Sequence, residues 1–414
     1  MAGLVPFGAF VRELGVDAEL QRRFGHLKDG SRVVYPMGAQ MRLLMDAFAV
    51  GEARPFGVES LSADALFTHL AGGSCPSVDT IYRDLDRFDE EMIQQLEGIA
   101  ADHGLAPLRG RRVDCVHIDV DTTVTPVFGT HEGALPGPNP RYRGRPSYHP
   151  ILARVAETDT IIGASLRRGD TGFGADDVPY VVRWLRRTRA VVGPNTLIYV
   201  RMDAAADCTA FLRAIDAEGA FFLVKAKTTR DLLTEVWGTT RWNSVDWDAD
   251  GRPIRQVAEI DFQRGEWRET KTRVRVIAVR SRDRDTGRQL YLWDLDDYTV
   301  QVFLTNDMDS SIDELARRYD GRAGVEPLIA ELKGAYGIGK VPSDGFNANH
   351  AALLLKMLTH NLLRRFVAAR WPDLRQWRAP WLRRAVLLVP GRLTRHGRRT
   401  QLQVGRRPAF HALE

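Results

Sequence analysis

The sequence predicts an α/β fold with a β-rich insertion, preceded by an all-helical N-terminal domain and followed by a basic C-terminal region. Three observations predict it. Apolar residues recur at helical spacing up to about residue 105. From about 110, short β-rich runs alternate with helical patterns, the mark of an α/β domain. Between about 228 and 300 the helical signal fades and strand-like runs and tryptophans take over.

In the N-terminal region, 1–105, Met41, Leu44, Met45 and Phe48 fall on one face of a helix. Ile81, Leu85, Phe88, Met92, Leu96 and Ile99 fall on one face of a second, with Ser77 as its N-cap. The stretch from Ser74 to Arg83 resembles a turn entering a recognition helix, and a plain helical bundle fits it equally well.

The first part of the α/β core spans 106–227. Val113–Val120 is a strand with Val116, Ile118 and Val120 on one face and His117, Asp119 and Asp121 on the other. A Gly/Pro-rich loop, roughly 129–146, leads to strands near 148–156 and 160–167. Val178, Val181, Val182 and Leu185 mark a helix, Thr196–Met202 a strand, Phe211, Leu212 and Ile215 a helix, and Phe221–Val224 a strand. The insertion, 228–300, holds a strand from Arg273 to Val279, the start of another from Tyr298 to Leu304, and Trp237, Trp242, Trp247, Trp267 and Trp293. Helical patterns return over 311–336 and 348–370, completing the core in a second part, 301–370, and 371–414 is the Arg-rich C-terminal region, with a last strand near Thr400–Val404.

Composition narrows the function. The chain has 414 residues, 44% hydrophobic and 27% charged, so it can bury a large core and is not disordered. Net charge is +5, and the excess is concentrated: between Arg364 and Arg407 stand thirteen arginines and one acid, Asp373. Such a run is either a solvated basic surface or a phosphate-binding segment that releases counterions from a polyanion. Three scattered cysteines, Cys75, Cys115 and Cys208, have neither metal-ligand spacing nor the look of a disulfide scaffold. No apolar run is long enough to cross a membrane and no signal peptide opens the chain, so a cytoplasmic, nucleoid-associated protein is expected. A P-loop, His-Glu-x-x-His and Gly-x-Ser-x-Gly are missing, and Gly172-Phe-Gly-Ala-Asp-Asp lacks the third glycine of a dinucleotide loop.

The densest local signal is Tyr319-x2-Arg322-x3-Glu326-x6-Lys333. At helical periodicity these four side chains share one stripe about 60° wide. A phenol, a guanidinium, a carboxylate and an ammonium on one stripe suit phosphate and metal; spacing alone fits a solvated charged face as well. Pro327 suggests a kink or restart there. Asp121 and Asp203 each end a strand, where open α/β sheets place ligands. Three carboxylates converging from two strand ends and a helix would hold hard divalent cations.

These residues resemble the DDE transposases of bacterial insertion sequences. Tyr-x2-Arg-x3-Glu-x6-Lys is similar to that family's signature; Ile118-Asp-Val-Asp-Thr-Thr-Val124 resembles its first motif, and Tyr199-Val-Arg-Met-Asp-Ala-Ala-Ala-Asp207 its second. The resemblance covers about 110–366, including Gly144–Ile151 and Asn349 to Asn361. It implies an RNase H-like core, two Mg²⁺ ions with Mn²⁺ accepted in their place, and catalytic, metal-holding Asp121, Asp203 and Glu326. Asp119 shares the strand face of Asp121, so the first ligand stays open between them, with Asp121 favoured by the Asp-Thr-Thr pattern. The resemblance further implies that Tyr319, Arg322 and Lys333 bind DNA, that transposon ends and target DNA are the partners, and that a homodimer acts in a synaptic complex. Lys225, Lys227 and Arg230, past the strand Phe221–Val224, are expected to reach DNA. Trp293 is the nearest candidate for a base-holding tryptophan, though no motif matches it. The alternative function is a transposase descendant that binds DNA without cutting.

Overall fold

The computed structural model describes residues 1–139, 142–282, 298–397 and 399–405; Trp293, Arg398, Arg406 and Arg407 lie outside them. The chain begins with helices α1 (Leu4–Glu13), α2 (Val16–Phe24), α3 (Met37–Val50), α4 (Gly57–Leu61), α5 (Ala65–Leu70), α6 (Val78–Leu85) and α7 (Glu90–Leu105). The face from Ile81 to Ile99 is buried as expected, but over two helices, not one. Ser77 caps α6 through the Thr80 N–H, and Asp89 restarts the chain as α7 by accepting the Met92 N–H at 2.8 Å.

Strands and helices then alternate: β1 (Cys115–Thr122), β2 (Thr125–Pro126), β3 (Ser147–Tyr148), β4 (Ile151–Val155), β5 (Thr160–Ser165), α8 (Val178–Val192), β6 (Leu197–Met202), α9 (Thr209–Ala217) and β7 (Phe221–Lys225). The segment expected to lack helix contains α10 (Arg230–Gly238) and α11 (Gly265–Glu269) beside β8 (Asn243–Trp247), β9 (Pro253–Ile260), β10 (Arg275–Arg282) and β11 (Tyr298–Thr305). Helix α10 has a local cause that apolar periodicity over so few residues hides: Thr229 caps it, and only Leu232 and Val236, four apart, are buried. The chain ends with α12 (Ile312–Asp320), α13 (Val325–Ala335), α14 (Phe346–Arg370), α15 (Ala379–Leu382) and a hairpin of β12 (Gly391–His396) and β13 (Arg399–Val404).

Among the described residues one nine-stranded sheet runs β5-β4-β1-β6-β7-β11-β10-β9-β8. Strands β1, β6 and β7 are parallel; β4 is antiparallel to β1, and β11 through β8 continue the sheet antiparallel. The apolar face of β1 packs with Val181, Trp184 and Leu185 of α8 and Phe211 and Leu212 of α9. On the other face α12 packs over the middle of the sheet, with Leu315 against Tyr199 and Ile277, and Ala316 and Tyr319 against Leu223 and Phe303. Long helix α14, buried along most of its length, joins the N-terminal helices to the β4–β5 end. There Asn361 accepts the Ile161 N–H at 2.8 Å and donates to the carbonyls of Ala100 (2.9 Å) and Ile161 (2.7 Å). Asn349 braces the turn at Ser343 in the same way.

The Arg-rich segment is not all surface. Arg383 is buried and donates to the carbonyls of Ala49, Phe48 and Ala335 at 2.7–2.8 Å, while Leu382, Val386 and Leu387 enter the core of the N-terminal helices. Arg364 donates to the carbonyls of Arg375 and Trp377. Backbone carbonyls take these guanidinium groups in place of solvent or phosphate.

Candidate active site

The site lies where the parallel strands β1 and β6 end beneath α12 and α13. Their register pairs Cys115 with Leu197 and continues to Asp119 with Arg201. Two residues further along each strand stand Asp121 and Asp203, so the same step brings both carboxylates to one level on adjacent strands, roughly 5 Å apart in the sheet direction. Asp203 ends β6 and accepts the Ala205 N–H at 3.0 Å, which turns the chain into a short 3₁₀ segment. Asp121 accepts its neighbour's N–H, from Thr122, at 2.8 Å.

Asp119 has a different environment. Its register partners are Arg154 on β4 and Arg201 on β6. Arg201 grips it with two hydrogen bonds, Nε at 2.6 Å and Nη2 at 3.0 Å, and Arg154 Nε lies 3.7 Å away. All three side chains are buried. A carboxylate matched by two guanidinium groups in the interior is a structural ion cluster, and it distinguishes Asp119 from Asp121 where strand periodicity did not.

The stripe of four residues is not on one continuous α-helix. Helix α12 stops at Asp320, a 3₁₀ turn runs Gly321–Gly324, and α13 begins at Val325. The break precedes Pro327, which sits in the first turn of α13 where an N–H has no helical partner to lose. Its cause lies underneath. A Cβ on Gly321 would collide with Arg201 Nη1, and one on Gly324 would come within 2.6 Å of Arg154 Nη1. The two glycines let the turn ride directly on the arginines that hold Asp119, and Arg201 Nη1 donates to the carbonyl of Arg318 just before it.

From that turn the side chains separate. Tyr319 is buried, its ring 4.2 Å from that of Phe303 and its hydroxyl donating to the Met202 carbonyl at 3.2 Å, one residue before Asp203. Burial pushes its phenol up to about 12. Arg322, also buried, reaches Asp121 with Nη2 3.0 Å from Oδ2. Glu326 is exposed on the first turn of α13. Lys333, two turns on, donates to the Val124 carbonyl at 3.1 Å, tying α13 to the loop after β1. Burial raises the Asp121 carboxyl to about 6; Arg322 opposes this, while the charges of Asp203 and Glu326 add to it. The charges of Asp203 and Glu326 are thus both felt at Asp121.

Lys225 ends β7, Lys227 follows it beside the turn after Asp203, and Arg230 opens α10. The Lys227 N–H donates to Asp207 Oδ2 at 2.6 Å and its Nζ to the Asp207 carbonyl at 3.1 Å. Arg264 fixes the same Asp207 with two bonds of 2.6 and 2.7 Å. Residues that sequence reasoning passed over are Arg154, Arg201, Gly321 and Gly324; the signal available for the glycines was their spacing around Arg322 within the helical pattern.

The family model for the transposase DDE domain, group 1, matches residues 1–412. The chain belongs to the DDE transposase family. No curated protein matches it. Among solved structures, the piggyBac transposase in a synaptic complex with hairpin DNA aligns over 93% of this chain and 84% of its own, with 12% identity and a TM-score of 0.42. The Drosophila P element transposase in a strand transfer complex aligns over 55% of this chain and 48% of its own, with 15% identity and a TM-score of 0.24. No helix among the described residues of this transposase is long and apolar enough to cross a membrane.

Three carboxylates offer hard oxygen donors, the chemistry Mg²⁺ and Mn²⁺ take. As the side chains stand, no three acidic, histidine or cysteine residues among those described are close enough together to hold an ion. Arg322 occupies Asp121 instead. The donor set fits a divalent cation in kind, and the burial and neighbouring negative charge that raise Asp121 are what such a cation would offset.

Proposed function

We propose that this DDE transposase binds the terminal inverted repeats of an insertion sequence and catalyses metal-dependent DNA strand cleavage and strand transfer. The observation that carries the reading is the register that sets Asp121 and Asp203 level on adjacent parallel strands, with the Glu326 charge felt at Asp121 from α13. An RNase H-like core is supported by the strand order β5-β4-β1-β6-β7 with β4 reversed. Asp121, Asp203 and Glu326 would hold two Mg²⁺ ions, which supply a polarised water or DNA 3′-hydroxyl and stabilise the leaving oxygen of an in-line displacement.

The chain's own residues do the positioning. Tyr319 anchors the α12 end to the strand carrying Asp203, and Lys333 holds α13 over the loop after Asp121. Arg322 is the natural ligand for a scissile phosphate, because a guanidinium matches two phosphate oxygens as it does a carboxylate. A phosphate that takes Arg322 frees Asp121, so arrival of DNA and readiness of the carboxylates are linked. Lys225, Lys227 and Arg230 extend the basic edge towards DNA, with the helical domain of residues 1–105 and the exposed arginines of 371–414 holding the transposon end.

The test is Mg²⁺- or Mn²⁺-dependent nicking of a transposon-end duplex. Asp121→Ala, Asp203→Ala and Glu326→Ala each abolish it and leave end binding largely intact. Wild-type protein that binds the ends and never cuts would favour the non-cutting descendant instead. Action as a homodimer on paired ends is tested by mixing Glu326→Ala protein with a cleavage-competent, binding-defective variant; cleavage by a monomer on a single end at full rate excludes it.

A further inference from the structure

A second constellation lies at the other end of β1, away from the carboxylates. Cys115 opens the strand, and its Sγ is 3.8 Å from Nε2 of His117, two residues on along the same face. The other ring nitrogen of His117, Nδ1, is 2.6 Å from Glu157 Oε1. The same carboxylate also accepts the His117 backbone N–H, at 3.1 and 3.2 Å. From α12, Arg318 brings Nη1 to 3.3 Å from Sγ and 3.3 Å from Nε2. Cys115, His117, Glu157 and Arg318 are each partly exposed.

This is the ordering of a nucleophile, its base and a group that orients the base. Glu157 engages Nδ1, which turns Nε2 towards the sulfur. The guanidinium beside Sγ stabilises negative charge on it. Burial works against a charged His117, yet its bonds to Cys115 and Glu157 prevail and raise it to about 9. The other groups facing the cluster are Tyr199, stacked on His117 and bound to Asp307 at 2.5 Å, Arg201 further along the sheet, and Glu314, which pairs with Arg318 at 2.6 Å. Cys75 has no such setting; burial pushes its thiol up.

We propose that Cys115 is a nucleophilic thiol and a modification site for peroxides and other small soft electrophiles. With hydrogen peroxide the ionised sulfur attacks one oxygen. An S–O bond forms, the O–O bond breaks, and the departing hydroxide takes a proton from His117 to leave as water. Sulfur loses two electrons to the peroxide and becomes a sulfenic acid. The product stands against Arg318, on the helix that leads into the turn carrying Arg322.

The experiment uses the full chain without DNA and follows each cysteine by mass spectrometry. With iodoacetamide at pH 7, Cys115 is expected to label about tenfold faster than Cys75, and His117→Gln or Glu157→Gln to slow it about tenfold. With hydrogen peroxide and dimedone, the sulfenic adduct is expected at Cys115. Labelling of Cys115 no faster than Cys75, variants that fold normally but leave its rate unchanged, or no dimedone adduct at Cys115 overturns the proposal. Should both variants fail to fold, the wild type decides: Cys115 must react faster in the native protein than in urea-unfolded chain, and a slower native rate overturns the assignment.

Discussion

Arg322 Nη2 lies 3.0 Å from Asp121 Oδ2, so the guanidinium stands where a cation would compete for the same oxygen. A cation at Oδ2 would have to compete with this ion pair. A charge-assisted bond contributes about 1.5–3 kcal/mol. We therefore predict that Arg322→Gln binds Mn²⁺ at least about tenfold more tightly than wild type in the absence of DNA, measured by electron paramagnetic resonance, and yet cleaves DNA poorly. Equal or weaker affinity would show that the pair does not oppose the metal.

Asp119 and Asp121 are expected to give opposite phenotypes. Removing Asp119 leaves Arg201 buried without its carboxylate and Arg154 with Asp159 alone, at about 3–5 kcal/mol. Asp119→Ala is expected to unfold at a much lower denaturant concentration than wild type, whereas Asp121→Ala, which unpairs only Arg322 and removes a carboxyl already held above its ordinary range, is expected to lose much less stability and all cleavage. A stable, cleavage-dead Asp119→Ala would reverse the assignment of the first ligand.

Gly321→Ala forces a methyl group into Arg201, whose tip cannot retreat because it holds both Asp119 and the Arg318 carbonyl. The expected cost is about 1–3 kcal/mol, read as a lower melting temperature. Gly238→Ala, where a Cβ meets open space, is the control and should melt like wild type.

Arginines of the C-terminal region divide by burial. Changing exposed Arg375, Arg378, Arg392 and Arg395 to Gln is expected to flatten the salt dependence of DNA binding by about 0.9 in log K per log salt for each phosphate that is no longer neutralised. Arg383→Gln acts on the fold instead, since three buried carbonyls each lose a hydrogen bond from the guanidinium. An unchanged slope in the fourfold variant would make this surface merely solvated.

His117 contributes to the pH dependence of stability. A folded value of about 9 above the ordinary 6.5 means that its stabilisation is complete below 6.5 and is lost as pH rises through 9. After allowance for its partial exposure, wild type should lose about 1–2 kcal/mol relative to His117→Gln between pH 6.5 and 9. Parallel stability curves for the two proteins would refute this.

What the residues determine by themselves is local. Alternation in β1 placed Val116, Ile118 and Val120 against the core and Asp119 and Asp121 on the opposite face, and the structure keeps both sets there. Asp203 just past a strand end was legible in the same way, because period and position are properties of the chain. Periodicity fails where its cause is a neighbour. The helix that would carry Tyr319 through Lys333 breaks at Gly321–Gly324 because Arg201 and Arg154, on two other strands, lie directly beneath. Two acids on one strand face have equivalent patterns, and only the sheet order, which sets an arginine on each side of Asp119, separates them. Likewise a run of arginines reads as one basic segment until packing decides which of them, like Arg383, meet buried carbonyls and which face water. Charge pairing acts through space at a few ångströms, and in each case the partner comes from a distant part of the chain, which only the tertiary fold brings near.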